Sequence, residues 1–279
     1  MDTIDEKYEA LKETIRAMGS VAVAYSSGVD STLVLWAAHE ALGDRAVAYT
    51  ATSVIYPPYE TAEAREFCEE RGIAHVLAPV RPFDIAGYEN NPTDRCYHCK
   101  KAIFSSLIEA AHEAGLAQVV DGTNSDDTGA YRPGMRALAE LDVRSPLKEV
   151  GLGKAEIREI SRRLGLPTWQ KPSFACLMTR FGYGEHVDER RLEMVGQAEL
   201  YLLGEGFRQL RVRYHAGDIA RIELAPDEFA RMLEGDEAQR VETALKELGF
   251  EFVTLDLGGY ATGKMNAKTE ERLLEEQRA

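Results

Sequence analysis

Two stretches of this 279-residue chain carry residue types at spacings that could do chemistry. In "TDRCYHCKK" (93–101), Cys96 and Cys99 form a C-x-x-C pair with His98 between them and Arg95, Lys100 and Lys101 around them. Such a pair serves a structural zinc, a redox dithiol, part of an iron–sulfur site, or is simply two packed thiols. Zinc needs four ligands, and only His98 or the distant Cys176 is at hand to complete the set. In "VAVAYSSGVDSTLVLWAA" (21–38), an apolar run, a Ser/Gly turn and a helical pattern follow one another directly. Gly28 and the adjoining Val29 let backbone amides approach an anion, and Ser26, Ser27, Ser31 and Thr32 offer hydroxyls. A helix beginning near Asp30 aims its positive end at the same spot, so the stretch reads as a phosphate cradle. It has neither the lysine of a Walker loop nor the spacing of G-x-G-x-x-G. Asp30 suits a carboxylate holding Mg²⁺ on a polyphosphate. The plainer alternative is that Asp30 and Ser31 cap a helix after a tight turn.

The elements that must position these residues alternate over the first 165 or so positions. Strands are expected at 21–26, 46–51, 74–79 and 117–122, and helices at 4–18, 30–42, 58–71, 99–114 and 153–164. Strands that are nearly continuous in apolar residues and separated by helices point to an α/β fold, a doubly wound parallel sheet covered on both faces. Such sheets bind ligands beyond the carboxyl ends of their strands. Asp121, Asn124, Asp126 and Asp127 then lie at the end of the fourth strand, although an Asx-rich turn would also use them. The segment 166–188, "LPTWQKPSFACLMTRFGYGEHVD", shows no regular period and reads as a functional loop or linker. It carries Cys176, with Lys171 and Arg180 near it in sequence to favour a thiolate; a buried small residue is the alternative. Beyond it, a helix (188–203), antiparallel strands "LRVRYHA" and "IARIELA", helices at 226–233 and 236–248 and a strand "EFVTLDL" make a smaller α+β domain. The expected division is 1–170, a segment 171–187, and 188–279, with a helical tail at "TEERLLEEQRA".

Composition narrows the function classes. A net charge of −14 argues against a broad nucleic-acid surface, since that affinity comes from Lys and Arg neutralising phosphates. No stretch is long and apolar enough for a membrane span, and "MDTIDEKYEA" lacks the features of a secretory signal, so a cytoplasmic location is expected. Four cysteines in a reducing compartment lean towards metal or catalysis rather than a disulfide framework. Cys68, beside Phe67 on a helical pattern, reads as a packed residue.

"SSGVDS" resembles the S-G-G-x-D-S loop of the PP-loop ATP pyrophosphatases, with Ser27 where many members have glycine. "DGTNSDDTGAYRPG" (121–134), "RSPLKEV" (144–150) and "KPSFACLMTR" (171–180) resemble the LarE branch. That branch inserts sulfur into the pyridinium nucleotide precursor of the nickel-pincer cofactor of lactate racemase. The likeness runs over nearly the whole chain, including "RVRYH", "ARIE" and "DLGGYATGKMN". It implies an adenine nucleotide alpha-hydrolase type of sheet, ATP and Mg²⁺ as reactants, and a loop that holds the leaving pyrophosphate while a carboxylate of pyridinium-3,5-dicarboxylate mononucleotide is adenylated.

The resemblance further places Cys176 in the sulfur-donor position. In one branch its own sulfur is given up and dehydroalanine remains. In others, residues matching Cys96, Cys99 and Cys176 bind a [4Fe-4S] cluster that carries the sulfur, and Arg95, Lys100 and Lys101 would offset the cluster's charge. Arg180, Arg211 and Arg213 fall near the substrate's phosphate by the same likeness. Arg211 and Arg213 share parity on an expected strand and so one face, which a solvated face balanced by Glu223 and Asp218 would also explain. A homo-oligomer and transfer of product to the nickel-inserting enzyme of the pathway are implied as well. Two rivals keep the same sheet: a tRNA thiolase, which the acidic balance opposes, and a non-catalytic adenine-nucleotide sensor, which would tolerate loss of Cys176.

Overall fold

The computed structural model describes residues 3–127, 133–172 and 175–261, and these divide into two units. The first is drawn from Met1–Ser53, Pro58–Ile85 and Asp94–Phe174. Helix α1 (Thr3–Arg16) buries Tyr8, Leu11 and Ile15, a helical stripe. Strand β1 (Val21–Ala24) leads through the Ser/Gly turn into α2 (Val29–Leu42). This helix buries Val29, Leu33, Val34, Ala37 and Ala38 together, which accounts for a sequence that is apolar nearly all round. Then come β2 (Ala46–Thr52), α3 (Pro58–Arg71), β3 (His75–Pro79), α4 (Arg95–Glu113) and β4 (Gln118–Val120). Helices α5 (Pro133–Glu140), α6 (Pro146–Glu149) and α7 (Lys154–Arg163) follow; the first two were not expected.

All pairings in this four-stranded sheet are parallel, and the order is β3-β2-β1-β4. Val21 pairs with Ala46 on one side and with Gln118 on the other, so β1 is central. The winding runs from β1 out to β3, then returns through α4 to β4 on the opposite side of β1. That reversal makes the carboxyl ends of β1 and β4 the topological switch point of a doubly wound sheet, where such folds bind ligands. Strands β1 and β4 stop short of their expected ends because 25–28 and 121–124 leave the sheet as loops. Helix α4 starts earlier than expected, with Asp94 at its N-cap position and no side-chain cap, and takes both cysteines of the C-x-x-C pair into its first turns.

The second unit collects Val54–Pro57, Ala86–Thr93 and Ala175–Ala279. Its regular elements are α8 (Glu189–Gly204), β5 (Leu210–His215), β6 (Ile219–Leu224), α9 (Phe229–Met232), α10 (Glu237–Glu247) and β7 (Phe252–Leu255). Strands β5 and β6 form an antiparallel hairpin; β7 returns through α10 to lie parallel to β6. The segment 171–187 is shared between the units, with 171–174 in the first and 175–187 in the second. The expected tail helix and residues 262–266 of "DLGGYATGKMN" lie outside the described residues. No described helix is long and apolar enough to cross a membrane.

Candidate active site

At the switch point, Gly28 is the N-cap of α2 and no side chain caps the helix. Asp30 and Ser31 therefore sit inside the first turn, and the turn's amides face outward where an anion can take them. The hydroxyls are divided. Ser31 Oγ accepts from Ser26 N–H (3.2 Å) and lies 3.2 Å from the Gly28 carbonyl, so it shapes the loop. Thr32 donates to the same carbonyl at 2.8 Å and is fully buried. Val29 packs its side chain into the core, leaving only its backbone for a ligand. Ser26 is exposed, and Ser27 is buried with φ of 52°, the left-handed conformation that a glycine adopts without cost.

The β4 loop comes directly against this turn. A methyl group on Gly122 would stand 2.9 Å from Ser31 N and 3.2 Å from Ser31 Cα, so only glycine permits the approach. Asn124 Nδ2 then reaches Asp30 Oδ1 at 3.5 Å. Lys154, at the first position of α7, forms an ion pair with the other oxygen of Asp30. Sequence reasoning had not singled out this lysine. Its signal is a cation placed at the positive end of a helix, which the dipole disfavours and a nearby anion must offset. Asp126 accepts from Lys154 N–H at 2.6 Å, Asp127 from Asn124 N–H at 3.0 Å, and Asp121 from Ser145 Oγ at 2.7 Å. Of the four expected residues, Asn124 alone bonds Asp30, while the three aspartates hold the loop and the start of α7.

Lys171, expected near Cys176, places its ammonium on the Ser/Gly turn between β1 and α2. It donates to the carbonyl and the hydroxyl of Ser27, both at 3.0 Å, and pairs with Glu63 on α3.

In the second unit Cys176 is half-buried and precedes a 3-10 turn, Leu177–Arg180. Arg180 is fully buried and pairs with Glu199 on α8 through two bonds of 2.9 and 2.7 Å. Its third nitrogen donates to the carbonyls of Ala175 (2.6 Å) and Cys176 (3.1 Å). Arg180 thus holds the cysteine turn in shape. Glu199 also accepts from Val212 N–H at 2.9 Å, locking α8 to β5. It was missed in the sequence although it occupies a buried position of an apolar helical stripe, where a charge must be paired. Asn91, also missed, is buried with φ of 47° and donates to the Gly182 carbonyl at 2.8 Å, closing the far end of the segment.

Arg211 and Arg213 do share a face of β5, and that face is buried rather than solvated. Arg213 donates to Glu223 (2.9 Å) and to the Thr179 carbonyl (2.7 Å). Asp218 instead accepts from the Tyr214 hydroxyl at 2.7 Å. Arg211 lies 5.1 Å over the Tyr260 ring, and burial, reinforced by the charge of Arg180, pulls it below the usual arginine value. Arg221 pairs with Glu223 and Asp256. It also donates to His215 Nε2 at 2.9 Å, so that imidazole carries its proton on Nδ1.

Cys96 and Cys99 occupy one side of the first turns of α4, Cys96 half-buried and Cys99 buried. Lys101 turns to Glu140 (2.7 Å) and the Tyr97 hydroxyl (2.9 Å), and Lys100 packs its stem against Gly134. Among the described residues no three His, Cys, Asp or Glu side chains are grouped as metal ligands. Cys68 is 1% exposed, and burial pushes its thiol up to about 12, so it is packed and inert.

No family model matches the chain. An uncharacterised protein of Synechocystis sp. is 41% identical over 94% of this chain and 98% of its own length. The pyridinium-3,5-bisthiocarboxylic acid mononucleotide synthase of Lactiplantibacillus plantarum is 37% identical over 95% of this chain and 96% of its own. The argininosuccinate synthase of Haloarcula marismortui is 28% identical over 53% of this chain and 38% of its own. Near-complete coverage by the second, on a parallel sheet whose switch point carries the Ser/Gly turn, places this chain in the family of the pyridinium-3,5-bisthiocarboxylic acid mononucleotide synthase, the LarE family.

Proposed function

We propose that this chain is an ATP-dependent sulfurtransferase that adenylates a ring carboxylate of pyridinium-3,5-dicarboxylate mononucleotide and converts it to a thiocarboxylate. The observation that supports it most is the meeting of an uncapped helix start, Asp30, Asn124 and Lys154 at the switch point. There the amides of α2 and the ammonium of Lys154 offset the charge of departing pyrophosphate. Asp30 is the carboxylate that would hold Mg²⁺, which when bound neutralises polyphosphate charge. A carboxylate oxygen of the substrate bonds to the α-phosphorus of ATP as the bond to pyrophosphate breaks, leaving an acyl adenylate. The Cys176 sulfur adds to the acyl carbon, and AMP departs with the electrons of its bond. Loss of the Cys176 Cα proton with cleavage of its Cβ–S bond frees the thiocarboxylate and leaves dehydroalanine.

Arg180 keeps the Cys176 turn in shape for that attack. The substrate's phosphate is assigned to Arg211 and Arg213. The charge of Arg211 is disfavoured by burial and by Arg180, and a phosphate dianion would offset both. A second reading rests on Cys96 and Cys99 sharing one side of α4: with Cys176 they are the thiolates that would hold a [4Fe-4S] cluster, which when bound carries the sulfur. No group of three such ligands stands assembled among the described residues.

The wild-type chain given ATP, Mg²⁺ and the mononucleotide releases pyrophosphate in step with AMP. Asp30→Asn and Lys154→Met each slow that release by about a hundredfold. No pyrophosphate from the wild type with this substrate sinks the reading. About four irons per chain after anaerobic purification would favour the cluster route.

A further inference from the structure

Lys171 reaches the phosphate loop from outside it. Its backbone is pinned: its amide donates to the Thr168 carbonyl at 2.9 Å, and its carbonyl accepts from Arg158 at 2.9 Å. Its ammonium has three acceptors for three protons, the carbonyl and hydroxyl of Ser27 and the carboxylate of Glu63. These partners differ in strength. Ser27 is buried within the loop, whereas the Glu63 side chain is 47% exposed on α3. Exposed ion pairs are weak and are readily exchanged for a more highly charged anion. Ser27 is also the left-handed residue of the loop, and its side chain gives Lys171 a second anchor that a glycine would not provide.

We propose that Lys171 is a pyrophosphate-binding residue of the loop, with Glu63 as the counter-ion that occupies it while the loop is empty. Pyrophosphate displaces the Glu63 carboxylate, while the two bonds to Ser27 keep the ammonium at the rim. The proposal rests on reading 26–32 as the pyrophosphate site, and it adds a cation and a competing anion to that site.

The two partners predict opposite signs, which a mere surface strut does not. Calorimetric titration of the full chain with inorganic pyrophosphate and Mg²⁺ reads both. Lys171→Met weakens pyrophosphate binding by about tenfold or more, the effect of one charge-assisted hydrogen bond. Glu63→Gln tightens it by up to about fivefold, because an exposed competitor is removed. Glu63 lies half-exposed on a helix, so this variant folds and carries the test even if Lys171→Met does not. Unchanged affinity in Lys171→Met, or weaker binding in Glu63→Gln, overturns the proposal while leaving the loop assignment intact. A wild-type chain that binds no pyrophosphate overturns the loop assignment and this proposal together.

Discussion

Replacing Gly122 by alanine tests the geometry of the switch point with one methyl group. The glycine's φ lies outside the left-handed region, so the substitution is resisted by contact alone. The new Cβ would stand 2.9 Å from Ser31 N, 3.2 Å from Ser31 Cα and 3.3 Å from the Asp30 carbonyl carbon. These are backbone atoms of the first turn of α2, with no flexible side chain to give way. The β4 loop and the turn must separate by about half an ångström to restore ordinary contact. Overpacking of this kind costs about 1–3 kcal/mol. For a chain of this size that lowers Tm by roughly 2–4 °C per kcal/mol. The same separation parts Asn124 from Asp30, now 3.5 Å apart, and shifts the first-turn amides of α2 away from a bound phosphate, so ATP affinity falls by about tenfold, the worth of one hydrogen bond to a charged ligand group. Gly115→Ala is the control. Its φ of 73° makes alanine cost about 1–2 kcal/mol, yet nothing lies within 4 Å of the added carbon and the site is untouched. Titration with ATP and Mg²⁺ alongside thermal melts separates the two effects. Gly122→Ala with wild-type ATP affinity, or Gly115→Ala with an equal loss, refutes the reasoning.

Arg180→Met and Glu199→Gln each break a pair with both partners buried and lower stability by about 3–5 kcal/mol, read by urea unfolding; the double variant loses less than the sum. At pH 8, N-ethylmaleimide modifies the half-buried Cys96 and Cys176 in the folded chain and spares Cys68, whose thiol is pushed up to about 12; equal labelling of Cys68 would contradict its packing. The Thr50 hydroxyl donates to the Tyr25 carbonyl, so His75 Nε2 must donate to Thr50, and burial lowers the pKa of this imidazole. A base with a depressed folded pKa keeps full stability above its unfolded value, about 6.5, and loses it as pH falls through the folded one. Urea unfolding at pH 7.5 and 5.5 therefore shows a stability drop that shrinks in His75→Gln.

The parallel sheet was legible because its strands are apolar runs separated by helices with clear stops, and the strand–turn–helix at 21–42 because glycine, serines and an aspartate stand where β1 becomes α2. What escaped depends on pairings across the chain. Lys154 meets Asp30 only after the sheet reverses at β4, and Glu199 meets Arg180 only once α8 packs on the Cys176 turn. Parity correctly put Arg211 and Arg213 on one face of β5. It could not show that the face is buried, since burial is decided by α8 and Glu199 rather than by the strand itself. Lys171, close to Cys176 in sequence, was expected to favour its thiolate, and its ammonium lies on Ser27 instead. The C-x-x-C pair looks the same in sequence whether it holds metal or packs, because the missing ligand is supplied by folding and not by spacing.

The most direct test of the account is the mass of the nucleotide after anaerobic incubation of the purified chain with ATP, Mg²⁺ and pyridinium-3,5-dicarboxylate mononucleotide. The wild type is predicted to return a product in which sulfur has replaced one carboxylate oxygen, whereas Cys176→Ala releases pyrophosphate, stops at the acyl adenylate and makes no sulfur-containing nucleotide. An unchanged nucleotide from the wild type, or a thiocarboxylate from Cys176→Ala, would contradict the account.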